Sequence, residues 1–235
     1  MADSVSARMQ ALTTVVLVDQ VVDSIVQAAA EGRFLPGDRL KEAEIGRELN
    51  VSRVPVREAL LVLESHKLAV SAPYKGMRLV EFDDRQLRNI ASVRASLELL
   101  ALSEVLDRSS KDGTVLDGVR LAVQKMGQAA QAGESFAVAR HDMEFHRQLC
   151  LASGNEVLSQ LWESLSLRLM VVLGLCIRDM DLMALHRSHV ELLDLFASGD
   201  RVKAKAALRA HIVEDLMNVD YQVIVDRLRA RRTSR

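Results

Sequence analysis

The chain has 235 residues, of which 49% are hydrophobic and 27% charged, and its formal net charge is −1. This length suits two domains, since one domain usually takes about 100–200 residues. A nearly neutral balance excludes binding of nucleic acid through bulk positive charge, so any DNA contact must come from a local basic patch. An aromatic fraction of only 3% disfavours single-strand binding, which needs aromatic stacking platforms.

The cysteines and the hydropathy pattern indicate where the protein works. Cys150 and Cys176 lie far apart in apolar, helix-like runs, which predicts buried free thiols rather than a disulfide framework. No stretch reaches the roughly 18 uninterrupted apolar residues of a membrane span, and the first residues lack the features of a signal peptide. We therefore expect a cytoplasmic protein with no membrane partner.

The distribution of proline divides the chain. All three prolines lie before residue 80, and long helical patterns separated by short turn signals follow. The predicted fold is mainly α, with a winged helix-turn-helix domain over 1–80 and a linker over 81–84. An antiparallel bundle of six to seven helices follows over 85–230, and a basic, frayed tail covers 231–235.

The first domain reads as three helices and a hairpin. Apolar residues at helical spacing predict a first helix that ends before Gly32, a second over 42–49 and a third from 53 to about 66. Two short extended pieces, 69–72 and 77–80, predict a β-hairpin. Three helices followed by a hairpin make a winged helix-turn-helix, whose third helix is the candidate for the DNA major groove.

Two arginines on that third helix are the candidate DNA-reading groups. Arg53 and Arg57 are four residues apart and so share one helix face, and Ser52 is placed to cap the helix. An arginine fork can bond a guanine bidentately or clamp a phosphate. From residue 53 to residue 80 the chain carries five basic residues against two acidic ones. Two arginines at this spacing can also be plain solvated charges, and only the complete motif favours DNA.

Four residues of the helical domain form a candidate metal site. Asp142 and His146 are spaced i,i+4, so their side chains converge on one face of a helix. His189 and His211 are predicted on the last two helices, ten and twelve residues from a turn over 198–200. An antiparallel hairpin at that turn brings both histidines to nearly the same level. One aspartate and three histidines suit a borderline divalent ion.

Two other classes of protein could use these features. A metal-dependent hydrolase could activate water at the Asp/His cluster, but the sequence shows no His-Glu-x-x-His motif and no nucleophile elbow. A dimeric adaptor protein would use the helices only for interaction, and it would leave Arg53 and Arg57 unexplained. A non-enzymatic DNA-binding regulator accounts for both features.

A longer motif around the third helix resembles that of a known family. Leu35-Pro36-Gly37 and the run Ser52-Arg53-Val54-Pro55-Val56-Arg57-Glu58-Ala59-Leu60 are similar to the signature of the GntR regulators. The resemblance implies a homodimer on a palindromic operator. We expect a repressor that an effector releases from DNA, with activation as the alternative. The resemblance also implies DNA contacts from the residues Ser52, Arg53, Arg57, Lys75 and Gly76.

The helical part resembles the FadR-like subgroup of that family, whose effector domain is called FCD. The resemblance implies that Asp142, His146, His189 and His211 bind a divalent metal, with zinc expected first and nickel or manganese as alternatives. It further implies a small carboxylate effector beside the metal, bound by Arg94. Asn155 and Arg168 are weaker candidates for the same pocket.

Overall fold

A computed structural model describes residues 3–72, 76–109, 113–217 and 220–233. The chain divides into two compact units, Met1–Glu81 and Phe82–Arg235. The first unit contains the helices α1 (Asp3–Ala30), α2 (Glu42–Glu48) and α3 (Arg53–Ser65), and the strands β1 (Ala69–Ala72) and β2 (Gly76–Leu79). The second contains α4 (Asp84–Ser109), α5 (Asp117–Gln131), α6 (Ser135–Ala152), α7 (Glu156–Cys176), α8 (Leu182–Ser198), α9 (Arg201–Met217) and α10 (Tyr221–Thr233), with a 3-10 helix over Ile177–Asp179.

The core of the first unit lies between α1 and α3. Val56, Leu60 and Leu63 of α3 are at most 2% exposed and pack with α1, where Val21 and Ile25 are buried. This apolar stripe at helical spacing fixes which face of α3 turns inward, so the opposite face must meet solvent.

The turn between α2 and α3 and the following hairpin take the predicted forms. Asn50 adopts a left-handed conformation with φ of 53°, which a short polar side chain tolerates. The strands β1 and β2 pair antiparallel, with Ala69 opposite Leu79 and Ala72 opposite Gly76. The predicted winged helix-turn-helix is therefore confirmed, with the second strand beginning one residue earlier than expected.

The second unit is a helical bundle, as predicted. It begins with a capping box, in which Asp83 Oδ1 accepts from the Gln86 amide and Gln86 Oε1 accepts from the Asp83 amide. Helix α6 packs against α4, α5 and α7 at the centre. Gly199, with φ of 73°, ends α8 in the left-handed conformation and lets α9 begin two residues later.

Two expectations for the end of the chain were wrong. His189 and His211 lie on α8 and α9, and these are not the last two helices because α10 follows. Arg231 and Arg232, expected in a frayed tail, lie in the last turn of α10. Helix α10 is the seventh helix of the predicted six to seven, and Tyr221 and Val225 are its buried residues.

One segment of the described chain, Glu156–Asp179, is long and apolar enough to cross a membrane by length and composition alone. More than half of its most apolar window, 56%, is buried inside the protein. A core helix of a bundle has this same composition, so the segment is weak evidence for a membrane span.

Candidate DNA-reading face and metal centre

The outer face of α3 carries both predicted arginines. Arg53 is exposed and makes no hydrogen bond or ion pair with the described residues. Arg57 is also exposed, with 66% of its side chain accessible, and it forms a bidentate pair with Glu42 of α2. Its Nε lies 3.1 Å from Glu42 Oε1 and its Nη2 lies 3.0 Å from Oε2. Glu42 thus holds the Arg57 fork in one orientation while leaving most of the side chain in solvent.

The start of α3 differs from the expected cap in one detail. Ser52 occupies the N-cap position with an extended backbone, but its side chain makes no capping hydrogen bond. The hydroxyl is exposed, so it stays available to an outside acceptor such as a phosphate.

Two apolar residues that were not predicted from the sequence complete this face. Val54 is 61% exposed and Leu61 is 54% exposed, and with Arg57 they follow one line along α3 because they are three, four and seven residues apart. Apolar side chains at such positions can contact the methyl group of thymine. Val54 and Leu61 lie outside the helical repeat of the buried stripe, and this mismatch in the sequence could have identified them as exposed apolar residues.

A further exposed arginine, Arg39, lies beside the wing. Gly76 has φ of 74°, which a residue with a side chain rarely adopts. A Cβ added at Gly76 would lie 3.2 Å from both Nε and Nη2 of Arg39. The backbone of Arg39 also forms an antiparallel β-bridge with Arg78 of β2. This pairing holds the exposed Arg39 beside the wing. Sequence reasoning did not select Arg39, since it precedes the motif, and the predicted Lys75 lies outside the described residues.

The second unit gathers Asp142, His146, His189 and His211 into one cluster. One ligand atom from each residue lies within 4.8 Å of the other three, and only His211 is not fully buried. Helix α6 supplies Asp142 and His146, whereas α8 and α9 supply one histidine each. The hairpin of α8 and α9 brings the rings of His189 and His211 to 4.6 Å between centroids.

The Nε2 atoms of the histidines face the centre of this cluster. His146 Nε2 lies 3.3 Å from His211 Nε2 and 3.9 Å from Asp142 Oδ2. His189 Nε2 lies 3.0 Å from Asp142 Oδ1, yet that contact lacks hydrogen-bond geometry and leaves this buried nitrogen without a hydrogen-bonding partner among the described residues. Ligand atoms about 2.0–2.1 Å from a zinc ion are about 3.4 Å apart in a tetrahedron, so these separations fit a single ion.

Outer contacts fix the orientation of two of the rings. His146 Nδ1 lies 2.6 Å from Glu98 Oε2, and His189 Nδ1 lies 2.9 Å from the carbonyl oxygen of Leu185. With Nδ1 as the donor in each ring, the lone pair of Nε2 is left to face a cation. The ring of Phe145 meets both histidines edge-on, at 5.0 and 4.9 Å between centroids.

Burial and charge set the protonation states of His146 and Asp142. Burial lowers the pKa of His146 to about 4, with the nearby Arg94 acting in the same direction. Burial alone would raise the pKa of Asp142, but the adjacent His189 holds that pKa well below its usual range. At neutral pH, His146 therefore offers a neutral imidazole and Asp142 an ionised carboxylate, the forms that bind a metal.

Glu98 is the centre of the outer layer, and it was not selected as a site residue from the sequence. Its side chain is fully buried, and its Oε1 accepts from Arg94 Nε and from Trp162 Nε1, each at 2.8 Å. Arg94 and Glu98 are four residues apart on α4 and form an ion pair. The structure shows that pair buried, with the Arg94 side chain 12% exposed.

A cavity of about 420 Å³ opens beside the cluster, and Arg94, Asp142 and His211 are among its lining residues. Asn155 and Arg168 are not among them, which corrects their expected placement. Asn155 caps α7 through its Oδ1 and donates from Nδ2 to Glu104. Arg168 donates from Nη2 to the carbonyl oxygen of Ser164 on its own helix.

Two protein-family models match the chain. The model described as "Bacterial regulatory proteins, gntR family" matches residues 17–79, and the model described as "FCD domain" matches residues 89–214. The first match covers α2, α3 and the wing, and the second covers the cluster and the cavity.

Relatives match over most of their length. The chain is 29% identical over 201 residues to the "Probable D-xylose utilization operon transcriptional repressor" of Paenarthrobacter nicotinovorans, covering 86% of this chain and 88% of that protein. It is 28% identical over 209 residues to the HTH-type transcriptional regulator LutR of Bacillus subtilis, covering 80% and 94%. Among solved structures, McbR/YncC of E. coli superposes with a TM-score of 0.72 at 25% identity, covering 88% of this chain and 97% of that one.

Proposed function

The chain belongs to the GntR family of bacterial regulatory proteins and carries an FCD domain, and from this premise we propose that it is a metabolite-responsive repressor. It is a transcriptional regulator and not an enzyme, so the metal-dependent hydrolase considered above falls away. A relative described as a repressor supports the proposed sense of regulation.

In the proposed mode of DNA binding, α3 enters the major groove. Arg53 supplies a free guanidinium, Arg57 supplies one that Glu42 has already oriented, and the Ser52 hydroxyl meets the backbone. Arg39 and Gly76 bring the wing to the duplex beside it. Two copies of the chain would place two α3 helices on half-sites about 34–36 Å apart, which requires a palindromic operator and a homodimer in the cytoplasm.

The cluster supports a resident divalent cation. Asp142, His146, His189 and His211 would hold it, and nitrogen-rich donors favour zinc over harder ions, with nickel and manganese as alternatives. Bound there, the cation supplies positive charge at the end of the cavity. The protein's own part is to keep three Nε2 lone pairs directed inward and to exclude water from the buried side of the cluster.

The cavity supports an anionic effector beside that cation. Arg94 lines this cavity and donates a hydrogen bond to Glu98 through its Nε alone. Its remaining N–H donors therefore suit a carboxylate. An effector changes operator binding only if it binds one state of the dimer more tightly than the other. We infer that the acid favours the state that releases DNA.

The single observation that carries the proposal is the exposure of Arg53 and Arg57 on α3, outside its buried stripe. A gel shift with sheared genomic DNA from the source organism tests it. The full chain should shift the migration of a subset of fragments. A variant with both Arg53→Ala and Arg57→Ala should shift none. A His189→Ala variant should still bind, because its change lies in the other unit. An equal shift by the double variant would refute the proposal.

A further inference from the structure

The cavity beside the cluster is polar at one end and apolar over most of its remaining wall. The polar end consists of Arg94, Asp142 and His211. The apolar wall comes from α7, the segment after it, α8 and α9, and its members are Leu169, Val172, Leu173, Cys176, Met180, Ala184, Leu185 and Ile212. Its volume of about 420 Å³ is near the lower end for ligand pockets, which span about 300–1,000 Å³.

The two other polar residues of the wall already use their side chains on helix α8. Ser188 donates its hydroxyl to the carbonyl oxygen of Leu185 at 2.8 Å. Asp181 Oδ1 accepts from the amides of Met183 and Ala184, at 2.9 and 3.0 Å, and caps the helix. Neither side chain has a hydrogen-bond donor left for a ligand, and the Asp181 carboxylate is 66% exposed to solvent, with its Oδ2 3.7 Å from Arg187.

The cysteine in this wall behaves as an apolar residue. Cys176 is 3% exposed, and burial raises the pKa of its thiol to about 12. An uncharged, buried thiol packs like a small hydrophobic side chain. It thus extends the apolar surface that Val172 and Leu173 begin.

We propose that the effector is a monocarboxylate with an apolar body, such as a short aliphatic or aromatic acid, and that the cavity rejects polyhydroxylated acids. The carboxylate lies at the Arg94 end and the body lies against Leu173, Cys176 and Leu185. Hydroxyl groups there would leave water without gaining hydrogen-bonding partners, which costs free energy. This inference rests on the proposed sensing function and specifies its ligand class.

Calorimetric titration of the zinc-supplemented full chain tests the inference with four probes. Phenylacetate and hexanoate should each bind at least about 10-fold more tightly than gluconate, in line with the discrimination that apolar pockets achieve. Hexanol, which lacks the carboxylate, should bind more weakly than hexanoate because Arg94 has no anion to engage.

Two variants of α7 make the test specific to the wall. Leu173→Asn should weaken phenylacetate binding by about 10-fold or more. It should therefore reduce the ratio of the affinity for phenylacetate to the affinity for gluconate. Leu161→Asn, on the same helix but 53% exposed and outside the cavity, should leave both affinities unchanged.

The outcomes separate this inference from the function beneath it. Gluconate binding as tightly as phenylacetate, or an unaltered Leu173→Asn variant, overturns the apolar ligand class and leaves acid sensing intact. If phenylacetate, hexanoate and gluconate all fail to bind a chain that still binds operator DNA, both the ligand class and the sensing role are overturned.

Discussion

Glu98 Oε2 lies 2.6 Å from His146 Nδ1, and both side chains are fully buried. This contact joins the first helix of the bundle to the cluster on α6 and fixes which nitrogen of His146 faces the other three ligands. The same carboxylate accepts from Arg94, which lines the cavity. Glu98 thus connects the Asp/His cluster and the polar end of the cavity through one side chain.

Glu98→Gln should weaken zinc binding by about 10–100-fold, the usual effect of losing an outer partner of a metal-bound histidine. The glutamine oxygen can still accept from Arg94 and Trp162, but its NH2 group then faces His146 Nδ1–H and, being a donor, cannot accept from it. Competition with a fluorescent zinc chelator measures the affinity. Glu104→Gln is the matched control, because Glu104 lies on the same helix and bonds to Asn155 instead; an equal loss in both variants would contradict the role given to Glu98.

Removal of metal should lower the thermal stability of the chain. A ligand that binds only the folded state at 100 times its Kd stabilises by about 2.7 kcal/mol, and each kcal/mol shifts the Tm of a protein of this size by about 2–4 °C. We therefore expect a chelator to lower Tm by about 5–10 °C and added zinc to restore it. Differential scanning fluorimetry measures both, and an Asp142→Asn variant should show a much smaller response. A wild-type Tm indifferent to chelator and zinc would exclude a structural cation.

Arg53→Ala should weaken operator binding by about 10–100-fold, since a good arginine contact to a base contributes about 1–3 kcal/mol. Arg53 makes no hydrogen bond or ion pair with the described residues, so its loss should leave the unfolding free energy almost unchanged. Fluorescence anisotropy with a labelled operator measures the affinity. Arg120→Ala, an exposed arginine of the other unit, should bind like the wild type.

Glu42→Gln should strengthen binding to any duplex and reduce the preference for the operator. The change removes a negative charge that holds Arg57, so Arg57 becomes free to meet a phosphate but is no longer oriented. The plot of log affinity against log salt should steepen by about 0.9, as for one more phosphate contact. Glu44→Gln is the control, because Glu44 lies on the same helix and pairs with Lys41. Identical salt slopes for Glu42→Gln and wild type would show that Arg57 does not reach the backbone.

Local patterns in the sequence were sufficient for the architecture and for the four members of the cluster. The stripe of Val56, Leu60 and Leu63 identified the buried face of α3, and the i,i+4 spacing of Asp142 and His146 identified one wall of the cluster. His189 and His211 lie ten and twelve residues from the turn at Gly199, and these similar distances brought the other wall to nearly the same level. Each of these inferences needed only helical periodicity and one turn.

Contacts between distant helices could not be predicted in the same way. Glu98 meets His146 and Trp162, which are 48 and 64 residues away, and no spacing rule connects them. Asn155 looked like a polar pocket residue but caps α7, a role that the turn before it already indicated. Arg39 was missed because its partner, Gly76, is brought to it only when the wing folds.

Selection of duplexes from a random pool by this chain tests DNA reading through α3 directly. The wild type should enrich a palindrome whose half-sites are about one helical turn apart. The variant with Arg53→Ala and Arg57→Ala should enrich nothing. Enrichment of the same palindrome by that variant, or no enrichment by the wild type, would contradict DNA reading through α3.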